Sequence, residues 1–297
     1  MASLIYHAGA LGDFITTLPA MSAWRRLHPR QRIVLLGRPA YAALADPTTL
    51  FDETWDAASG MFAPLFSPDP DPSPLLAERF SLFTSALLFA FDSSPLEKNL
   101  TKNGVREITR QDPFPSARVP IVDYHLALFP RLPFNDRERI PRVLTTGPGL
   151  PTTPETVLLH PGSGSQKKNW PLTRFVELAR RCAADGESVA WIMGPAEEGI
   201  ILPPGAQVWR GVSLSALASA MGRSRLYVGN DSGITHLSAA SGCPTVALFG
   251  ASDPAVWAPR GRAVKIASAT STGRYDISVE DVYAECEKFS RMQTRGR

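Results

Sequence analysis

Two segments in the C-terminal half constrain the fold more than any other feature of the chain. In each, a short apolar strand stops and a Gly/Ser-rich loop leads at once into a helix. The first is a buried strand at 157–160 that runs into HPGSGSQKKNW, residues 160–170. The second is a strand at 226–228 that runs into GNDSGITH, residues 229–236. Strand, tight loop and helix in that order form the repeating unit of a parallel sheet. The surrounding sequence keeps the alternation. Pro171 opens a helix whose apolar face is Phe175, Leu178, Ala179 and Cys182, and Gly186 closes it. A strand follows at 188–193. Ser213 N-caps a helix with Leu214, Leu217, Ala218 and Met221 inward, ended by Gly222. A helix at 232–241, a strand at 244–249 and a last helix near 279–289 complete a doubly wound α/β domain.

The N-terminus begins the same way. A strand at 4–6 meets a turn with Gly9 and Gly12, then a helix carrying Ile15, Leu18, Ala23, Trp24 and Leu27. Pro19 either kinks that helix or marks where its regular part begins. A second strand is expected at 32–36. From 56 to 151 the pattern weakens. SPDPDPSP, residues 67–74, carries proline at every second position and reads as an exposed loop. The most apolar stretch, 82–91, is about half the ~20 residues a membrane helix needs. TTGPGLPTTP, residues 145–154, reads as a linker. With 297 residues in all, the expectation is two domains, 1–150 and 151–297.

Several positions suit chemistry. Gly162 and Gly164 let backbone N–H groups turn toward an anion, Ser163 and Ser165 add hydroxyls, and Lys168 adds a point charge. Open α/β sheets bind ligands at the carboxyl ends of their strands, where this loop lies. The start of the second helix offers free N–H groups and a partial positive charge. Asp231 or Ser232 would cap it, and His236 lies one turn in. A plain surface loop and a plain cap would explain either segment alone. Two such anion sites in one domain favour a bound diphosphate. Asp13, after the Gly9/Gly12 turn, could accept a proton from a hydroxyl nucleophile; it could equally be an N-cap. His7 is an alternative base. Glu197 or Glu198 could hold a ribose or a base, or simply face solvent. Trp170 and Trp257 could stack on rings, though core packing is commoner.

The net charge of +3, with basic residues spread along the chain, argues against nucleic acid. Three cysteines without CxxC spacing favour a reducing compartment. MASLIYHAGALGDF lacks the pattern of a signal peptide. The expected location is the cytoplasm, with a peripheral contact at the inner face of the membrane left open.

HPGSGSQKKNWPLTRFVELA and GNDSGITHLSAASGCPTVALFGASDP resemble the two C-terminal signatures of glycosyltransferase family 9. That family includes the ADP-heptose:lipopolysaccharide heptosyltransferases. LGDFITTLPAMSAWRR resembles its N-terminal signature, a Gly-Asp pair before a run ending in Thr-x-Pro. The resemblance implies a GT-B fold, two Rossmann-like domains facing across a cleft. It places the nucleotide-sugar donor on the C-terminal domain and a glycan or glycolipid acceptor on the N-terminal one. It implies inverting transfer of a hexose or heptose without an obligatory metal or cofactor, with an ADP-sugar favoured. By motif position Asp13 matches the catalytic base, with Gly9 and Gly12 in the acceptor-side loop. Ser163, Gly164, Ser165, Lys168, Glu198, Asp231, Ser232, Gly233, Thr235 and His236 match the donor site. Two other readings stand beside this one: a non-catalytic nucleotide-sugar-binding protein of the same fold, and a sugar-nucleotide 2-epimerase, for which no set of ring-flanking acids and bases is evident. No G-x-G-x-x-G opens either domain, which disfavours a hydride-transferring enzyme.

Overall fold

The computed structural model describes residues 1–46, 50–147, 150–194, 197–268 and 276–294. The chain divides into two compact units, Met1–Arg139 and Ile140–Arg297. The segment after residue 139 already packs on the second unit, where the Val143 N–H donates to the Ala240 carbonyl at 3.2 Å. Of the stretch read as a linker, Pro148 and Gly149 lie outside the described residues, as do Pro195 and Ala196 beside Glu197.

In the first unit the strands are β1 (Ala2–His7), β2 (Arg32–Gly37), β3 (Glu53–Asp56), β4 (Phe83–Phe89) and β5 (Glu107–Gln111). They form a parallel sheet in the order β3-β2-β1-β4-β5. Around them lie α1 (Leu11–Leu27), α2 (Pro39–Ala42), α3 (Pro74–Phe80), α4 (Leu96–Lys102) and α5 (Ile121–Leu126). The apolar stretch at 82–91 is thus a central strand, paired with β1. Buried on both faces, it shows no alternation, so its period could not distinguish strand from helix. Pro19 sits inside α1 without ending it. A buried polar tie fixes that helix to the sheet: the Trp24 indole donates to the Ser3 hydroxyl at 2.8 Å, and Ser85 reaches the same oxygen at 2.9 Å.

The second unit holds β6 (Thr156–His160), α6 (Leu172–Ala184), β7 (Ser188–Met193), β8 (Gln207–Arg210), α7 (Leu214–Met221), β9 (Leu226–Asn230), α8 (Gly233–Ala240), β10 (Thr245–Phe249), α9 (Pro254–Trp257), β11 (Val264–Ser268) and α10 (Val279–Thr294). Its parallel sheet runs β11-β10-β9-β6-β7-β8. The predicted elements appear, and β8 and β11 join them at the edges. Ser213 caps α7 as expected, accepting from the Ala216 N–H at 3.3 Å, and Gly186 ends α6 at φ +85°. The core gathers Val157, Leu159, Phe175, Leu178, Val228 and Leu248. Two parallel-sheet α/β units are what the alternation of strands and helices predicted.

Strand order reverses between β6 and β9 in the second sheet and between β1 and β4 in the first. Ligands of open α/β sheets bind at such reversals, beyond the carboxyl ends of the strands. The loops after β6 and β9 are the two segments with which the sequence analysis began. Among the described residues, no helix is long and apolar enough to cross a membrane.

Gly229 fits β9 only because it lacks a side chain. A Cβ there would lie 2.2 Å from the hydroxyl of the buried Tyr227, which itself bonds Thr235 at 3.0 Å. Gly229→Ala should therefore cost about 1–3 kcal/mol, the usual price of overpacking. Denaturant unfolding checks this; an unchanged midpoint would contradict the packing described.

Candidate functional site

The two loops of the second unit converge. The Lys168 ammonium lies 2.6 Å from Oδ2 of Asp231, across the reversal between β6 and β9. Asp231 is 6% exposed and also receives the Ser252 hydroxyl. A buried carboxylate needs such partners. An ammonium has three donors, so Lys168 keeps donors for a ligand while Asp231 fixes its position. Asn230 ties the loops together from beneath. Its Nδ2 donates to the Pro161 carbonyl at 2.7 Å, and its Oδ1 accepts from the Trp170 N–H at 2.9 Å. Nothing in the motif marks this role, because an Asn at a strand end has many uses.

Ser232, not Asp231, caps α8: its hydroxyl accepts from the Thr235 N–H at 3.4 Å. The N–H groups of Gly233 and Ile234 open the helix, where backbone donors have no intrahelical partner. Ser163 is buried and braces the loop, its hydroxyl 2.7 Å from the Ser165 carbonyl and 2.6 Å from Asn169 Oδ1. Gly164 is exposed, and no atom lies within 4 Å of where its side chain would start. Ser165 is half-buried. Thr235 is sealed, its hydroxyl engaged by the Asn230 carbonyl and Tyr227. Its place is structural. His236 is buried, and burial lowers its pKa to about 4 against a partial opposing pull from Asp231. It is a neutral imidazole bonded to the Trp257 backbone. Trp170 belongs to the core, its indole donating to the Ile277 carbonyl at 2.9 Å.

Of the two glutamates, Glu197 reaches this site and Glu198 is exposed. Glu197 occupies the space a side chain at Gly162 would fill, with Oε1 1.5 Å from that point. Its Oε2 accepts from the Gly194 N–H at 2.5 Å. Its Oε1 is sealed without a hydrogen bond, 3.6 Å from His160 Nε2. Burial pushes this carboxyl up, but His160 and the Gly194 N–H outweigh it and hold the pKa below its usual value. The other face of His160 meets Ser232, with Nδ1 3.5 Å from the hydroxyl. A polar chain therefore runs from Glu197 through His160 to the cap of α8. Neither Glu197 nor His160 was singled out for it by sequence, since burial is what separates Glu197 from its neighbour.

In the first unit, the N-cap position of α1 belongs to Ala10, and Asp13 sits one turn in. Asp13 Oδ2 accepts from the Ala10 N–H at 3.2 Å. Asp13 and Gly12 are half-buried and Gly9 is exposed. A side chain at Gly9 would start 3.3 Å from Asp13 Oδ2 and 3.2 Å from His7 Cε1. His7 lies between the edges of Phe14 and Phe89, with ring centroids 5.4 and 5.9 Å away. Burial above all, and then His125 and Arg38, lowers its pKa to about 3. Among the described residues, no group of three or more His, Cys, Asp and Glu side chains is placed to hold a metal ion.

Comparison with known proteins places these features. The sequence model of glycosyltransferase family 9 (heptosyltransferase) matches residues 145–285, which contain the whole Lys168–Asp231 site. Lipopolysaccharide heptosyltransferase 1 of Pseudomonas aeruginosa is 36% identical over 118 residues. That match covers 38% of this chain and only 33% of the relative. The ADP-heptose lipopolysaccharide heptosyltransferase II of E. coli has the same fold at a TM-score of 0.79 and 16% identity, over 99% of this chain and 100% of that one. A family 9 glycosyl transferase of Veillonella parvula aligns at 0.75 and 17% identity, over 98% and 97%. The resemblance drawn from the motifs is borne out, and so is the fold class.

The buried His236 gives the second unit a pH dependence. Below its ordinary pKa of 6.5 the unfolded chain takes up a proton that the folded chain, with its value near 4, refuses. Stability is therefore full above about pH 6.5 and falls as pH drops toward 4, by at most about 1.4 kcal/mol per pH unit for one histidine. Denaturation midpoints measured from pH 7 to 5 should fall, and His236→Gln should flatten part of the slope. An identical slope in that variant would contradict the assignment.

Proposed function

We propose that this chain, which carries the family 9 pattern over residues 145–285, is an inverting glycosyltransferase. It moves a sugar from a nucleoside-diphosphate sugar to a glycan or glycolipid. The Lys168–Asp231 contact at the strand-order reversal carries the reading. An ammonium and a helix beginning lie on the two loops this contact joins, which supports a diphosphate bound to both.

In the reaction the acceptor hydroxyl oxygen attacks the anomeric carbon from the side opposite the diphosphate. The carbon–oxygen bond to the diphosphate breaks as the new glycosidic bond forms, which inverts the centre. Negative charge grows on the leaving diphosphate. Lys168 and the N–H groups of Gly233 and Ile234 stabilise it more in the transition state than in the ground state. Asp231 acts by holding Lys168, and Ser163 and Ser165 by shaping the loop around Gly164. Glu197, sealed between Gly162 and His160, braces the loop after β6 from within, and the exposed Glu198 is the ribose contact. The acceptor proton passes to Asp13. Lys168 and the helix N-terminus supply the positive charge a metal would otherwise bring, so transfer is metal-independent and should survive EDTA.

The relatives' names point to ADP-heptose as donor and lipopolysaccharide as acceptor. That acceptor would place the protein in the cytoplasm against the inner face of the membrane.

Lys168→Met should weaken ADP binding roughly 10- to 100-fold, as loss of a hydrogen bond to a charged group does. Asp13→Asn should slow transfer by about 10²-fold or more and leave ADP affinity within twofold. Calorimetric titration and a transfer assay check both. Unchanged ADP binding in the first variant would remove the diphosphate site; near-normal turnover in the second would remove the base.

A further inference from the structure

His7 is a buried polar side chain of the first unit that the proposed reaction leaves unused. It ends β1 at the strand-order reversal, facing Phe89 at the end of β4. It is 3% exposed, and its Nδ1 is sealed without a hydrogen-bond partner. The contact of the ring with its own backbone does not reach hydrogen-bond geometry at Nδ1, and the Asp13 carboxylate across Gly9 favours a proton on the nitrogen that faces it, Nε2. That nitrogen borders the open face of Gly9. A Cβ at residue 9 would sit 3.4 Å from it and 3.3 Å from Asp13 Oδ2. Glycine there leaves a small gap bounded on one side by an N–H donor and on the other by a carboxylate.

The charged and titratable groups that bear on the ring are His125 of α5, Arg38 beyond β2, and Asp13 across Gly9. His125 is itself lowered to about 4 by burial. Burial therefore keeps the His7 ring uncharged at neutral pH, which makes it a weak base. An uncharged N–H donor beside a carboxylate suits two neighbouring hydroxyls of a sugar. One gives its proton to the carboxylate while the oxygen next to it accepts from the imidazole.

Building on the transferase reading, we propose that His7 Nε2–H donates to an acceptor oxygen adjacent to the hydroxyl that Asp13 deprotonates, so that the acceptor is recognised as a vicinal diol. His7 is then a residue of acceptor specificity. Gly9 is bare because any side chain would fill the space between the two groups.

The test uses the full chain with ADP-heptose as donor and heptose-free lipopolysaccharide as acceptor. His7→Phe keeps an aromatic ring between Phe14 and Phe89 but removes the donor, and His7→Gln restores an N–H. His7→Phe should lose roughly tenfold in kcat/KM for the acceptor, the scale of one lost hydrogen bond with its partner left unpaired. The loss should lie in the acceptor KM, with the donor KM and the pH profile unchanged, and His7→Gln should recover part of it. A wild-type acceptor KM in His7→Phe, or His7→Gln no better than His7→Phe, overturns the proposal. If the wild-type protein transfers nothing to this acceptor, the lipopolysaccharide reading fails separately. The ¹⁵N resonance of His7 Nε2 then decides, as it does if His7→Phe fails to fold. It should shift when a methyl glycoside with a vicinal diol is added and stay put with the deoxy counterpart. Equal response to both, or none, overturns the proposal.

Discussion

One ammonium shared across a strand-order reversal organises the second unit. Lys168 comes from the loop after β6 and Asp231 from the loop after β9, adjacent strands far apart in sequence. A carboxylate as buried as Asp231 is stable only with partners, and Lys168 and Ser252 provide them. The pairing holds a flexible lysine over the start of α8, where the helix adds its own positive end. Asn230 fixes the same geometry through backbone groups. The geometry is thus fixed by the protein's own contacts, and on the proposed function this preorganisation is what stabilises the leaving diphosphate.

Much of this was legible in the sequence. A strand that ends in HPGSG or GNDSG shows where the chain must leave the sheet, and buried parallel strands read clearly when a Gly/Ser loop punctuates them. Convergence of the two loops was expected from their shared place at strand-to-helix junctions of one parallel sheet, where open α/β sheets bind ligands. What was not legible depended on burial. Thr235 and Ser163 look like ligand groups in the motif, but the fold spends their hydroxyls on neighbours. Glu197 and Glu198 are chemically identical in sequence, and only the gap at Gly162 decides which one is taken inside. β4 escaped because a strand apolar on both faces has no period, and because the prolines before it drew attention to loops.

The first unit repeats the geometry of the second with a different polarity. There the reversal lies between β1 and β4, and the loop after β1 presents Asp13 and the neutral His7 around a bare glycine. One unit gathers positive charge, as a diphosphate requires. The other gathers a proton acceptor and an uncharged donor, as hydroxyls require. On the proposed function, that difference puts the donor on the second unit and the acceptor on the first.

The central claim is that the paired loops of the second unit hold the diphosphate. Amide NMR of the full chain titrated with ADP tests it most directly. The account predicts the largest shifts at Gly164, Lys168, Gly233 and Ile234, with Asp13 and its neighbours little changed. Shifts centred on the first unit, or saturating ADP with no response at Gly233 and Ile234, would contradict it.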